Sequence, residues 1–272
     1  MFTVWTGEVA RTSRPPPGHR GYRDRVTLDT RWIELEGLDN LRDIGGLPLG
    51  NGGGVTRSGV LLRSAALHYV TEADVRHLVE DFGLRLVLDL RTAREIDRDG
   101  PTPVARAGVR TVALSFIPED GRPLPETGDE TDPLLRSYLG FLVDRTENVV
   151  EAVRLLAAED AGPALVHCQA GKDRTGVLVA LVLDAVGVER HAVVEDYAIS
   201  AHHVEAMFRR WADAAEFPMP EDLTPHLPRA EVIAAVLDRL DTEHRGAAGW
   251  LRANGLDEES LRRLRMRLTG VY

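Results

Sequence analysis

The sequence predicts an α/β domain: a central, mainly parallel sheet flanked by helices, finished by a C-terminal helical lid or cap. Three observations point there. Short leucine-rich or β-branched runs recur along the first two-thirds of the chain, helical patterns fall between them, and past the last run the chain turns wholly helical. The runs are Val60 to Arg63, Leu84 to Leu90, Val109 to Ser115 and Ala164 to His167, each brief and bounded by turn formers, as buried strands are. Thr71 and Asp74 form a capping box that opens a helix closed by Gly83. Val149, Val150, Val153, Leu156 and Ala157 trace one face of another helix, which ends at Gly162-Pro163. Gly50, Gly52, Gly53 and Gly54 read as a turn, because a dinucleotide GxGxxG would need glycine at Val55 and a helix, not a strand, after it. The acidic stretch Glu119 to Asp132, with Gly and Pro, predicts a flexible loop.

Beyond the last strand, Val193, Val194, Tyr197, Ala201, Val204, Phe208 and Trp211 are spaced for one long amphipathic helix. Phe217 to Pro228 interrupts it with four prolines, and Val232, Ile233, Val236, Leu237 and Leu240, then Leu261, Leu264 and Leu268, resume the pattern. Adjacent His202 and His203 do not share a helical face, so they read as surface histidines and not as a metal pair.

The 272 residues, 43% hydrophobic and 28% charged, suffice for one large domain with a sizeable core. Residues 1–28 carry Arg11, Arg14 and Pro15 to Pro17 without an apolar block, so they read as a flexible tail, not a secretory signal, and residues 29–272 as the folded domain. Thirty-three basic against 43 acidic residues leave a net charge of −10, which disfavours nucleic acid and anionic lipid surfaces. The longest apolar stretch, Val177 to Leu183, falls far short of the ~20 residues that cross a bilayer, so no stable membrane insertion is expected. Cys168 is the only cysteine, which excludes an internal disulfide and fits a cytoplasmic location; export without a signal peptide stays open.

The chemistry concentrates in Val166-His167-Cys168-Gln169-Ala170-Gly171-Lys172-Asp173-Arg174-Thr175-Gly176, between the strand Ala164 to His167 and an apolar helix. A loop running from a strand end into a helix start turns successive N–H groups into one concavity, and the helix dipole adds about half a positive charge there. Such a cradle suits a phosphate dianion. The same field favours the thiolate form of Cys168, a nucleophile that can attack phosphorus. Arg174, on the opposite rim, offers a fork of donors matching two phosphate oxygens. Arginine is so common here that Cys-x5-Arg alone says little. The full run, which includes Lys172, the only lysine of the chain, is specific.

His-Cys-x-x-Gly-Lys-Asp-Arg-Thr-Gly resembles the signature of protein tyrosine phosphatases, specifically the bacterial atypical group with Lys-Asp before the Arg. Leu38 to Gly46, Leu62 to Leu67, Leu88 to Arg91, Asp196-Tyr197 with Ser200, and Gly249 to Arg252 resemble that group too, so the likeness covers roughly residues 30 to 270. The resemblance implies the cysteine-phosphatase fold and a two-step hydrolysis of phosphomonoesters through a phosphocysteine on Cys168, without metal or other cofactor. Phosphotyrosine is the expected substrate, with dual specificity or phosphoinositide hydrolysis as variants, and inorganic phosphate the expected occupant of the loop. Gln169, Ala170, Gly171, Lys172 and Thr175 would bind substrate alongside Arg174, with Thr175 hydrogen-bonded to the sulfur. His167 is expected to orient the loop from behind. Residues 191–228 are expected to fold over the pocket as a lid, as in similar phosphatases, with Trp211, Phe217 and Met219 as its apolar underside; the alternative is that these residues simply pack in the core. A non-catalytic phosphate-binding module is the contrasting reading, against which stands the intact pair Cys168 and Arg174.

The leaving oxygen needs a proton. The resemblance points to Asp173, whose alternative role is to pair with an arginine or cap the following helix. Asp89, at a strand end before Arg91, is a second candidate, and Asp120 or Asp132 a third.

Overall fold

The computed structural model describes residues 31–120 and 131–271. The expected N-terminal tail, and all of the Glu119–Asp132 loop except its ends, lie outside the described residues. Five strands form the sheet among the described residues: β1 (Arg42–Asp43), β2 (Leu61–Ser64), β3 (Leu86–Asp89), β4 (Arg110–Ala113) and β5 (Ala164–His167). Their order is β1-β2-β5-β3-β4, with β1 antiparallel to β2 and every other pair parallel. The mainly parallel sheet read from the sequence is thus present, with four strands close to the expected runs. The two-residue β1, too short to show a pattern, is an addition.

Alternation along the strands splits the core in two. Leu61, Leu86, Leu88, Ala164 and Val166 pack on one side of the sheet. Leu62, Val87 and Leu165 pack on the other, with Leu67, Leu78 and Val104. On the first side lie helices α4 (Pro133–Asp144), α5 (Thr146–Ala157) and α6 (Arg174–Ala185), followed by α7 (Arg190–Ala198), α9 (Ala230–His244), α10 (Ala247–Ala253) and α11 (Glu258–Thr269). On the second lie α1 (Glu72–Arg76) and α3 (Pro103–Arg106). Helix α2 (Ala93–Asp99) follows β3 and exposes its residues more. Every residue of α6 from Arg174 to Leu183 is buried, as the unbroken apolar stretch Val177 to Leu183 requires of its own part.

The expected capping box forms: Thr71 Oγ1 accepts from the Asp74 amide, and Asp74 accepts from the Thr71 amide. The Gly50 run folds as a short turn. The single amphipathic helix expected from Val193 to Trp211 does not form. It breaks into α7, a tight turn at Ile199–His203, and α8 (Val204–Asp213). The break falls where Arg42 donates from Nη2 to the Asp196 carbonyl at 2.6 Å and to Ser200 Oγ at 2.9 Å, binding this stretch sideways to β1. His203 is half-buried against Trp32, ring centroids 4.3 Å apart, so of this pair His202 alone is exposed.

Helix α8 lays Val204, Met207 and Trp211 against Ala65 and Ala170, beside the loop after β5. Arg210 fixes it by an ion pair to Asp39 at 2.7 Å. Phe217 and Met219, expected beneath this cap, are instead 38% and 40% exposed at its margin; Met207, one helical turn before Trp211, takes the inner place. Among the described residues no helix is long and apolar enough to cross a membrane.

Candidate active site

Strand β5 lies in the middle of the sheet, and its last residue, His167, is level with Ser64 of β2 and Asp89 of β3. The loop 168–173 therefore emerges at the carboxyl ends of parallel strands, where α/β sheets place ligands. Three donors from other segments pull its carbonyls back. Ala66 N–H donates to the Gln169 carbonyl at 3.0 Å, Asn40 Nδ2 to that of Ala170 at 3.0 Å, and Arg63 Nη2 to that of Gly171 at 2.8 Å. In a trans peptide the next N–H points opposite to the carbonyl, so the amides of Ala170, Gly171 and Lys172 turn the other way, into the concavity. Among the described residues, the amides from Gln169 to Asp173 donate to no protein acceptor. Gly171 makes the bend possible: its φ is +67°, and a Cβ there would lie 2.1 Å from the Ser64 carbonyl oxygen.

Behind the loop lies a buried charge network. Asp196 accepts from Arg31 at 2.6 Å, Arg63 at 2.7 Å and Arg42 at 3.2 Å. Burial alone would raise its carboxyl, but the three guanidiniums hold it well below the usual carboxylate range. Burial, then the neighbouring Arg63, push Arg42 down to about 9. Asn40, at φ +55°, accepts from Arg42 and passes its amide to the loop. Gly176 in α6 admits Tyr197, whose ring a Cβ there would meet at 2.7 Å.

At the front, Cys168 is buried at the root of the loop. Arg174 is gripped by Glu95, from Nη1 at 2.6 Å and from Nη2 at 2.9 Å, and Nη1 also faces the Leu90 carbonyl at 3.4 Å. A guanidinium has five N–H groups, so the Nε–H and the outer Nη2–H remain, side by side on the free edge, as a fork for two oxygens. Burial would lower Arg174, yet Glu95 and the charge of Cys168 raise it above its ordinary value. Against the opposing effect of burial, Arg174 and the Thr92 amide bring Glu95 down to about 2. Sequence reasoning missed Glu95. Its signal was Thr92-x-x-Glu95 directly after a strand, a capping box that the structure forms.

Asp173 lies at the rim, its side chain 28% exposed. Tyr138 donates to Oδ1 at 2.6 Å, and Lys172 Nζ lies 2.9 and 2.7 Å from the two oxygens. Tyr138 touches Tyr197, hydroxyl to hydroxyl, at 2.8 Å. Burial, then the charge of Asp173, raises Tyr138 above its ordinary value and so keeps it a donor; burial also raises Tyr197, to about 12. Although Asp173 stands at the N-cap of α6, its side chain caps no amide, and its cationic partner is Lys172, not an arginine.

Asp89 is buried behind the loop, with Arg91 on both oxygens at 2.7 to 3.2 Å and His167 Nε2 at 3.6 Å. Burial would raise its carboxyl; His167 and Arg91 keep it below the usual range. Asp132 caps α4 by accepting from Leu134 and Leu135, and pairs with Arg229 at 2.7 Å. Asp120 is exposed. Buried His167 has Nδ1 3.2 Å from the Cys168 carbonyl oxygen, and burial holds its imidazole below the usual range. The Gln169 side chain makes no hydrogen bond among the described residues. The implied bond from Thr175 to the sulfur is not present: Thr175 is fully buried and its hydroxyl has no hydrogen-bond partner among the described residues.

Known proteins are similar to this chain over most of its length. The sequence profile of the tyrosine phosphatase family matches residues 33–270. A tyrosine-protein phosphatase of Nostoc commune is 31% identical over 217 residues, spanning 76% of this chain and 73% of that protein. The triple specificity protein phosphatase PtpB of Mycobacterium tuberculosis is 29% identical over 281 residues, 87% of this chain and 99% of that protein. Among solved structures, P. aeruginosa TpbA superposes with a TM-score of 0.33 at 21% identity, covering 66% of this chain and 88% of that one.

Proposed function

This chain belongs to the tyrosine phosphatase family, and on that premise we propose that it hydrolyses phosphomonoesters, phosphotyrosine first among them, through a phosphocysteine on Cys168. The observation that carries this reading is the pairing of two features around one sulfur. The loop carbonyls are drawn back by Ala66, Asn40 and Arg63, and Arg174 is turned by Glu95 so that its free edge faces the same concavity. Together they supply amides and a guanidinium fork to a phosphoryl group whose charge spreads in the transition state.

In the first step the Cys168 sulfur attacks phosphorus, the ester P–O bond breaks, and Asp173 gives its proton to the leaving oxygen. In the second, water attacks the phosphocysteine, Asp173 takes a proton from it, and the P–S bond breaks to release phosphate and the thiolate. Asp173 is the group favoured for this role because it stands at the open rim, held by Tyr138 and Lys172. Asp89 has both oxygens on Arg91, and Asp132 is committed to a helix end and Arg229. Lys172 would meet substrate at the same rim, Gln169, Ala170 and Gly171 would bind through the loop, and Thr175 would support it from inside α6. Residues 191–228 would form the cap over one flank, through α8. The name of the Mycobacterium relative supports a specificity broader than phosphotyrosine.

The test is release of phosphate from p-nitrophenyl phosphate and from a panel of phosphopeptides and phosphoinositides, with no metal added. Cys168→Ser should abolish turnover while still binding phosphate, and Asp173→Asn should lose roughly 10²–10⁴-fold together with the basic limb of the pH–rate profile. Turnover surviving in Cys168→Ser would overturn the assignment.

A further inference from the structure

At the far end of the sheet from the loop, a cavity of about 250 Å³ opens between the C-terminal helix α11, the end of α5, and the segment leading into β2. Four arginines line it, Arg57, Arg262, Arg263 and Arg267, against one carboxylate, Glu159, with Met266 beside them. Two of the four are accounted for. Arg262 is held by Glu259 at 2.7 and 2.8 Å, and Arg263 shares that carboxylate at 3.3 Å. The other two are not: among the described residues neither Arg57 nor Arg267 has a side-chain hydrogen bond or an ion pair.

What sets these two apart is that they face one cavity together, with Arg262 and Arg263 on its wall and one carboxylate, Glu159, opposite. Arg267 is partly buried, and burial together with the charge of Arg57 lowers it from its ordinary value, so the two guanidiniums repel each other. The position is held rigidly all the same. The Arg57 amide donates to the Leu268 carbonyl at 2.7 Å, and Leu264 and Leu268 anchor α11 in the core. Arg267 is partly desolvated beside the like charge of exposed Arg57, and a fork of guanidiniums matches an oxyanion with several oxygens.

We propose that this cavity is a second anion site, which binds a small phosphate-bearing molecule between Arg57 and Arg267, with Met266 as its apolar floor. It is remote from Cys168, because Arg57 precedes β2 and the end of α5 precedes β5, whereas the loop follows β5. A ligand there would tie α11 to the segment before β2 and raise the stability of the folded chain by mass action.

The experiment is calorimetric titration of the full chain with inorganic phosphate. Arg174→Ala removes the guanidinium of the loop, so the part of the remaining binding that depends on Arg57 and Arg267 reports the second site. Adding Arg57→Gln and Arg267→Gln should weaken that remaining binding at least tenfold, whereas those two changes alone should leave p-nitrophenyl phosphate turnover intact. Thermal unfolding gives an independent reading. Without phosphate, Arg57→Gln with Arg267→Gln should melt no lower than the parent, since repulsion is relieved, and the rise in Tm that phosphate gives Arg174→Ala should vanish. Should the pair fail to fold, the exposed Arg57→Gln alone must still weaken the residual binding. The proposal fails if Arg174→Ala binds no phosphate up to roughly 10 mM, beyond the weak end of specific binding, or if its binding ignores both substitutions. Loss of turnover in Cys168→Ser bears on the loop alone, so the two readings can fail separately.

Discussion

The two faces of the phosphate loop are built from the same residue types and differ in their access to water. Behind it, Arg42, Arg63 and Asp196 are wholly buried, with Asn40 and Ser200 among their partners, and only Arg63 Nε lacks an acceptor among the described residues. In front, Arg174 with Glu95 and Lys172 with Asp173 are paired nearer solvent, and Arg174 keeps N–H groups that no protein acceptor takes. The rear is closed to solvent. It fixes the carbonyls, and through them the amides, before substrate arrives, which is the pre-organisation that electrostatic catalysis requires. The front holds Arg174 by Glu95 and leaves the Nε–H and outer Nη2–H of the guanidinium without a protein partner. Substitutions behind the loop should therefore appear first as lost folding, and those in front as lost turnover.

The sharpest way to break that contrast is Asp196→Asn. It leaves Arg31, Arg42 and Arg63 around a neutral amide, and breaking a buried pair typically costs about 3–5 kcal/mol, a large part of a domain's stability. Urea unfolding should show a correspondingly lower midpoint with an unchanged slope. If the variant is as stable as the parent but inactive, the rear network belongs to catalysis and the division is wrong.

Glu95→Gln should do the reverse. Gln retains the shape and the carbonyl oxygen, but it loses the charge and one acceptor. Hydrogen bonds to charged groups are worth about 1.5–3 kcal/mol, so kcat/KM should fall roughly ten- to hundred-fold. The Tm should change less than in Asp196→Asn. Equal losses of stability in the two variants would erase the difference between the faces.

The same residue gives a pH test. Glu95 falls to about 2 in the folded chain, against about 4.3 for a free side chain. A depressed carboxyl contributes stability above its unfolded value and loses that contribution as pH falls through the folded one. Parent and Glu95→Gln should thus differ most at neutral pH and converge between about 4.3 and 2. Convergence on the alkaline side would contradict the ion pair.

How much of this was legible in the sequence follows from distance along the chain. Cys168, Arg174 and Asp173, the residues proposed for the chemistry, lie within one strand–loop–helix unit, where spacing fixes geometry. The partners that aim them come from elsewhere: Glu95 reaches Arg174 across 79 positions, Arg63 reaches Gly171 across 108, and Asn40 reaches Ala170 across 130. Periodicity carries no trace of such meetings. Leu38 to Gly46 and Asp196-Tyr197 with Ser200 stood out by resemblance, but their task behind the loop emerged only when β1 and α7 came together. The broken helix after α7 was unreadable for the same reason. Its apolar spacing is continuous, and what interrupts it is the side chain of Arg42, 154 positions away from Asp196. Met219 was misplaced because a chain with four prolines between Phe217 and Pro228 leaves the helical face that Trp211 follows.

The smallest expected effect joins local structure to the site. Thr92 caps α2: its hydroxyl accepts from the Glu95 amide at 3.2 Å, and Glu95 Oε2 returns to the Thr92 amide at 2.8 Å. That same oxygen takes the 2.6 Å bond from Arg174, so the first turn of α2 sets the angle at which Glu95 meets the guanidinium. Thr92→Ala removes the cap at a cost of about 1 kcal/mol of stability, and Thr92→Ser restores it. If the cap also aims Arg174, the alanine variant should lose a few-fold in kcat with KM for p-nitrophenyl phosphate raised in step, and serine should rescue both. An alanine variant with a lower Tm but the parent's kcat and KM would show that Glu95 is positioned by Arg174 itself, and that the helix end contributes only to folding.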